Sequence, residues 1–264
     1  MKTPGIAERL LAPSAFTPKT PWRAWPAFLI SLLLAGILLI IALRAMTHSY
    51  WMLLQDQPDG LSQLGLPARE TAQVLGLEVG AIISQLIFLG LLFLLSLWKG
   101  GRPAGVMALG RPPISFWKAG LICATATGAL LSVDHAVHWV FPFPDWSEYW
   151  ENELRIVSSS YWPLLFASAV LCAPLIEELW FRGFLFSAFI KSDYGLALTA
   201  LLTGLLWTVL HIGYPLQTLA VIFIDSLVLS ALIWKYGSVW LCIAVHALLN
   251  GAFLIQLSWY NYPG

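Results

Sequence analysis

Residues 162–190, WPLLFASAVLCAPLIEELWFRGFLFSAFI, make an apolar run long enough to cross a hydrocarbon core of roughly 30 Å, which takes about 20 helical residues. The run is irregular. Pro163 and Pro174 interrupt it, and Glu177, Glu178 and Arg182 lie within it. A proline inside a membrane helix frees a backbone carbonyl, which neighbouring helices or a wet cavity must satisfy. Charges at bilayer depth are costly, about 2.5–3.5 kcal/mol for an Asp, Lys or Arg at the helix centre on insertion scales. A broken and charged span therefore points to a polar cavity inside the membrane.

On either side of this run, stretches near 26–45, 75–98, 117–140, 196–212, 216–234 and 238–258 are also long and apolar enough to span. The chain reads as an all-α, polytopic transmembrane helix bundle of about seven spans. Residues 26–258 form one membrane domain, preceded by a segment 1–25 and followed by a short tail, 259–264. Composition agrees, with 59% hydrophobic and 11% charged residues and a mean hydropathy of +0.76, where soluble domains carry about a quarter charged residues. With no net charge and no basic run to neutralise phosphates, nucleic acid is excluded as a partner. Cys123, Cys172 and Cys242 are isolated in apolar surroundings, which suggests helix packing rather than disulfides or a thiolate metal site.

Trp22, Trp25, Trp98, Trp117, Trp162, Trp234, Trp240 and Trp259 flank apolar runs, as an interfacial aromatic belt would. With seven spans and a cytoplasmic N-terminus, ten basic residues fall on the cytoplasmic side, among them Lys2, Arg9, Lys19, Arg102 and Lys235. The other side holds only Arg44, Arg69 and Arg155. This charge bias supports that orientation, in what reads as a bacterial cytoplasmic membrane. The aromatic and acidic stretch 142–160 is read either as a segment lying on the outer membrane surface or as a solvated loop.

The remaining question is what the intramembrane polar groups do. Glu178 and Arg182, four apart, share a helix face where a carboxylate and a guanidinium can pair through two parallel hydrogen bonds. Glu177 points about 100° away and cannot share Arg182 equally. A desolvated glutamate of this kind suits the removal of a proton from water. Trp207 and His211 are four apart in the next span, and His246 and Asn250 are four apart in the last. Histidine and asparagine can both donate to a developing oxyanion, although interhelical hydrogen bonding would also explain them. Counting about 1.5 Å per residue from the cytoplasmic ends puts Glu177 about 20 Å deep, Asn250 about 18 Å, His246 about 12 Å and His211 about 22 Å. Asp134, His135 and His138 have a spacing that could hold a metal, but near an interface solvated side chains are the plainer reading. Glu78 and Asp225 read as helix-end or interhelical groups.

The set Glu177-Glu178-x-x-x-Arg182, an aromatic four residues before His211, and His246-x-x-x-Asn250 resembles the family of CAAX-processing endopeptidases and bacteriocin-processing enzymes, which are glutamic intramembrane proteases. The resemblance covers about 160–258. It implies that Glu177 activates water, that His211 holds or shares that water, and that His246 and Asn250 stabilise the oxyanion. Glu178 and Arg182 would position the first motif, with Glu178 also able to touch the water. Trp207 departs from the family's usual phenylalanine and would keep an aromatic wall at that place. Asparagine is a poor zinc ligand and the last helix lacks an H-E-x-x-H glutamate, so no metal or other cofactor is expected. Expected partners are membrane lipid and a hydrophobic or lipidated protein or peptide substrate. A non-catalytic scaffold or bacteriocin self-immunity protein, and a small proton-coupled transporter, are the rival readings.

Overall fold

The computed structural model describes residues 16–55, 68–142, 154, 156–157 and 161–259. Among them every regular element is helical. In chain order these are α1 (Ala24–Gln55), α2 (Ala68–Leu97), the short α3 (Pro103–Val106), α4 (Phe116–Val140), a composite α5 (Trp162–Lys191), α6 (Gly195–Val209), α7 (Leu216–Tyr236) and α8 (Val239–Trp259). Among the described residues, Glu78–Gly100, Phe116–Val140, Trp162–Lys191, Leu216–Tyr236 and Val239–Trp259 are long and apolar enough to cross a membrane. Ala24–Ile37 and Gly195–Val209 are shorter apolar stretches. All fall on the runs expected from the sequence, and the protein is an integral, multi-pass membrane protein. Helix α1 continues past 45 and α2 begins before 75 because a helix need not stop with its apolar stretch where good helix formers such as Leu, Met, Glu and Ala follow or precede it. Most of 142–160 and of the two termini lie outside the described residues.

The chain forms two compact units. The first takes residues from Met1–Leu29, Leu92–Pro142 and Glu177–His246. In it α6 packs against α7, α7 packs against α4, and the later part of α5 lies against both α6 and α7. Phe181, Phe184, Leu185, Phe186, Leu229 and Ile233 are fully buried at its centre. Close approach requires glycine at two places. A Cβ at Gly204 would stand 2.8 Å from Ser226 Oγ, and one at Gly183 would stand 2.9 Å from the Met107 carbonyl oxygen. The loop after α3 is tied to the start of α8: Val239 N–H donates to the Ala108 carbonyl, Ser238 Oγ to that of Gly110 and Trp240 Nε1 to that of Leu109.

The second unit takes residues from Ile30–Leu91, Phe143–Ile176 and Ala247–Gly264. Its small core sets Ile156 and Leu165 against Tyr161, Ala169 and Leu254. Ser168 donates to a carboxylate oxygen of Glu78, so Glu78 is the interhelical group its sequence context suggested.

The aromatic belt is only partly as expected. Trp25, Trp98, Trp117, Trp162, Trp240 and Trp259 are exposed on the protein surface. Trp22 is instead buried, donating its indole N–H to the Leu95 carbonyl at 2.9 Å and packing on Phe184. Its ring fills the inside of the first unit rather than facing headgroups.

Candidate active site

Helix α5 carries the first motif and is not a regular helix. Short α-helical stretches alternate with π-helical turns over Phe166–Cys172 and Leu179–Leu185, so Glu177 and Glu178 end an α stretch between two π stretches. Pro174 helps to explain what happens in the first. In the π register each N–H reaches back five residues, and Ala173 N–H does donate to the Ser168 carbonyl. The next N–H in that register would be residue 174's, reaching Ala169, and proline has none. The Ala169 carbonyl is taken instead by Asn250 Nδ2 at 2.7 Å, within the second unit. A neighbouring helix thus satisfies the carbonyl that proline leaves over. The bond uses one of the two amide hydrogens of Asn250.

In the first unit, Glu178 and Arg182 are fully buried. Their expected two-bond pairing is not what forms. Arg182 Nη1 donates to Glu178 Oε1 at 2.9 Å, and His246 Nδ1, from α8, approaches the same oxygen at 2.9 Å. The reason lies in the π turn, which carries the guanidinium over the Trp207 ring with Cζ 4.2 Å from the ring centroid. Stacked there, it offers one nitrogen to the carboxylate. A buried ion pair is tolerable only with good hydrogen-bonded geometry, so this arrangement of one carboxylate, one guanidinium and one imidazole needs all three members. A carboxylate can only accept, so Nδ1 of His246 carries the hydrogen and Nε2 is left facing away from Glu178.

Trp207, near the end of α6, joins the rest. Its Nε1 donates to Glu177 Oε2 at 2.5 Å, its carbonyl accepts from His211 Nδ1 at 2.8 Å, and its ring meets His211 and His246 edge-on at centroid separations of 5.5 and 5.2 Å. His211 lies just beyond the helix, in a turn where Tyr214 stacks on its ring and donates its backbone N–H to the His211 carbonyl. Because the Trp207 carbonyl can only accept, His211 Nδ1 is the protonated nitrogen, and the neutral ring keeps a lone pair on Nε2.

Glu177, Glu178, Arg182, Trp207, His211 and His246 therefore meet in one unit. Glu177, His211 and His246 all touch Trp207, although counting about 1.5 Å per residue sets them at depths about 10 Å apart; α5 is partly π-helical and α6 ends before His211, so a uniform rise holds along neither. Asn250, four residues along α8 from His246, belongs to the other unit. The polar atoms of this pair go to separate partners, Glu178 and the Ala169 carbonyl. Asp134 and His138 hold each other along α4. Sequence reasoning treated Trp207 as an aromatic wall and missed its contact with Glu177. The signal was there, since an indole N–H in lipid needs an acceptor.

Comparison with known protein families gives a match over the last part of the chain. Residues 159–252 fit the Rce1-like family, described as type II CAAX prenyl endopeptidase Rce1-like. No curated protein and no solved structure matches the chain. The stretch that holds the whole site is thus a match to the Rce1-like family of CAAX-processing proteases, the family its motifs resemble.

Proposed function

We propose that this protein is an intramembrane endopeptidase that hydrolyses a peptide bond in a membrane-associated or lipid-modified protein or peptide. The observation that carries this reading is the attachment of the Glu177 carboxylate and the His211 imidazole to the same residue, Trp207. A water between them would donate one hydrogen to the carboxylate and the other to Nε2 of His211, leaving an oxygen lone pair for the scissile carbonyl. Glu177 takes the proton as that oxygen bonds to the carbonyl carbon, and the proton later passes to the departing amine.

The tetrahedral intermediate carries an oxyanion, and fixed donors in a dry site stabilise such a charge by several kcal/mol. The family resemblance makes Asn250 one such donor, and its bond to the Ala169 carbonyl leaves one of its amide hydrogens unspent. His246 has an Nε2–H to give only as the imidazolium, for which Glu178 is the counter-charge. Glu178 and Arg182 anchor that histidine. A metal-free mechanism belongs to this reading. Glu178 and His246 use ligand atoms on each other, Nδ1 of His211 is spent on a carbonyl, and asparagine is a poor zinc ligand.

The test needs no named substrate. Purified protein is added to membranes prepared from cells lacking it, in heavy-oxygen water, and peptides are screened by mass spectrometry for new C-terminal carboxyls carrying the heavy oxygen. A farnesylated peptide ending in a CAAX sequence is run in parallel. Labelled termini produced by the wild type and absent with Glu177→Gln support hydrolysis. Identical yields from both proteins would refute it.

A further inference from the structure

Trp207 is buried and its ring is held on three sides, by the Arg182 guanidinium at 4.2 Å and by the edges of His211 and His246. A ring so fixed aims its N–H in one direction. An indole N–H is a donor with no acceptor capacity, and inside a bilayer it must find an acceptor within the protein. It takes Glu177 Oε2 rather than a backbone carbonyl, and such charge-assisted bonds are about twice as strong as neutral ones. Phenylalanine, the residue the family resemblance leads one to expect here, would supply the same wall with no donor.

From these contacts we propose that Trp207 is a positioning residue of the water-activating site: its N–H fixes one oxygen of Glu177 and so turns the other towards the water. The proposal deepens the proteolytic reading and rests on Glu177 being the base. The same residue also orients the second water-holding group, because its carbonyl holds His211 Nδ1. One rigid residue thereby sets the angle between both acceptors of the water. The charged and titratable groups around it are Glu178 and Arg182 on α5, His211 beyond α6, and His246 on α8. Asp225 on α7 is within electrostatic range of His246 and Arg182. Among the described residues, none of these groups donates to Glu177 in place of the indole.

Two variants separate donor from shape. Trp207→Phe removes the N–H and some volume. Replacing Trp207 by β-(3-benzothienyl)alanine puts sulfur where the N–H was, at nearly constant size and with the same aromatic faces. Thermal unfolding in lipid nanodiscs checks that both fold, and the isostere serves alone if the phenylalanine variant does not. Two readouts follow. The infrared carboxylate band of Glu177, assigned by its loss in Glu177→Gln, needs no substrate. Cleavage of a peptide identified by the heavy-oxygen screen gives kcat and KM.

The expected result is a displaced Glu177 band and a kcat lowered about 10- to 100-fold, with KM within about twofold, as for loss of a hydrogen bond to a charged group. An isostere with the wild-type band and the wild-type kcat would overturn the proposal and leave Trp207 a wall. A displaced band with cleavage that persists in Glu177→Gln would instead sink the proteolytic role of Glu177, and with it the positioning role, while the contact itself stands.

Discussion

His246 donates its Nδ1 hydrogen to Glu178 Oε1, the oxygen that also receives Arg182, so a residue near the end of the chain completes an ion pair made within α5. Glu178 has no exposed surface. Glu178→Ala would leave Arg182 buried and unpaired, a change that costs about 3–5 kcal/mol. A markedly lower unfolding temperature in detergent is the expected outcome. Replacing both partners with apolar residues, Glu178→Leu with Arg182→Met, should recover most of that stability. It should not recover proteolysis, because His246 loses its anchor.

Asn250 and Pro174 are coupled through the Ala169 carbonyl. Asn250→Ala leaves that carbonyl without its side-chain partner, at a cost of about 1–3 kcal/mol if it stays buried. Pro174→Ala restores an N–H that can serve the same carbonyl in the π register. Stability of the double variant should therefore exceed the sum of the two single effects, measured as a double-mutant cycle of thermal unfolding. If Asn250 also donates to the oxyanion, Pro174→Ala restores stability without activity. Recovery of both would reduce Asn250 to a helix cap.

Gly183 and Gly204 are both tight, but against different neighbours. A Cβ at Gly183 meets Met107 backbone atoms at 2.9 and 3.0 Å, whereas one at Gly204 meets the Ser226 hydroxyl, which can rotate. Gly183→Ala is expected to destabilise by about 1–3 kcal/mol and Gly204→Ala by less. Since Gly183 adjoins Arg182, its variant should also lower activity at temperatures where the fold persists. Unfolding temperature and initial rate, measured on the same preparations, check both statements.

Chelation bears on the metal-free mechanism. Preincubation with EDTA or with 1,10-phenanthroline, followed by removal of the chelator, should leave the cleavage rate unchanged within about twofold. A loss restored by added zinc would mean that Glu178, His211 or His246 exchanges a protein partner for a metal, and the mechanism would have to be redrawn.

The spans were legible because a bilayer imposes a length of about 20 apolar residues whatever the packing. Glu177 stood out for a related reason, as a carboxylate at membrane depth with no partner on its own helix face. What no local pattern carries is the meeting of Glu178 with His246, 68 residues apart in sequence. The π turns of α5 were equally hidden, since the first turns on Pro174 and on the neighbouring helix that takes the Ala169 carbonyl, and no residue type marks the second. They account for the single-bond pairing of Arg182, whereas the meeting of Glu177, His211 and His246 around Trp207 shows only in the contacts between helices. Trp22 misled for a simpler reason. A tryptophan flanking an apolar run can serve an interface or a core, and a backbone carbonyl within reach decided for the core.

The role of Glu177 is tested most directly by a single comparison, the initial rate of heavy-oxygen incorporation into a cleaved substrate by wild-type protein and by Glu177→Gln in the same nanodiscs. Glutamine keeps an oxygen for the Trp207 N–H but cannot take a proton from water. A loss of about 100- to 10,000-fold with an unfolding temperature close to wild type is expected for removal of a general base. A variant that folds and cleaves at the wild-type rate would contradict it.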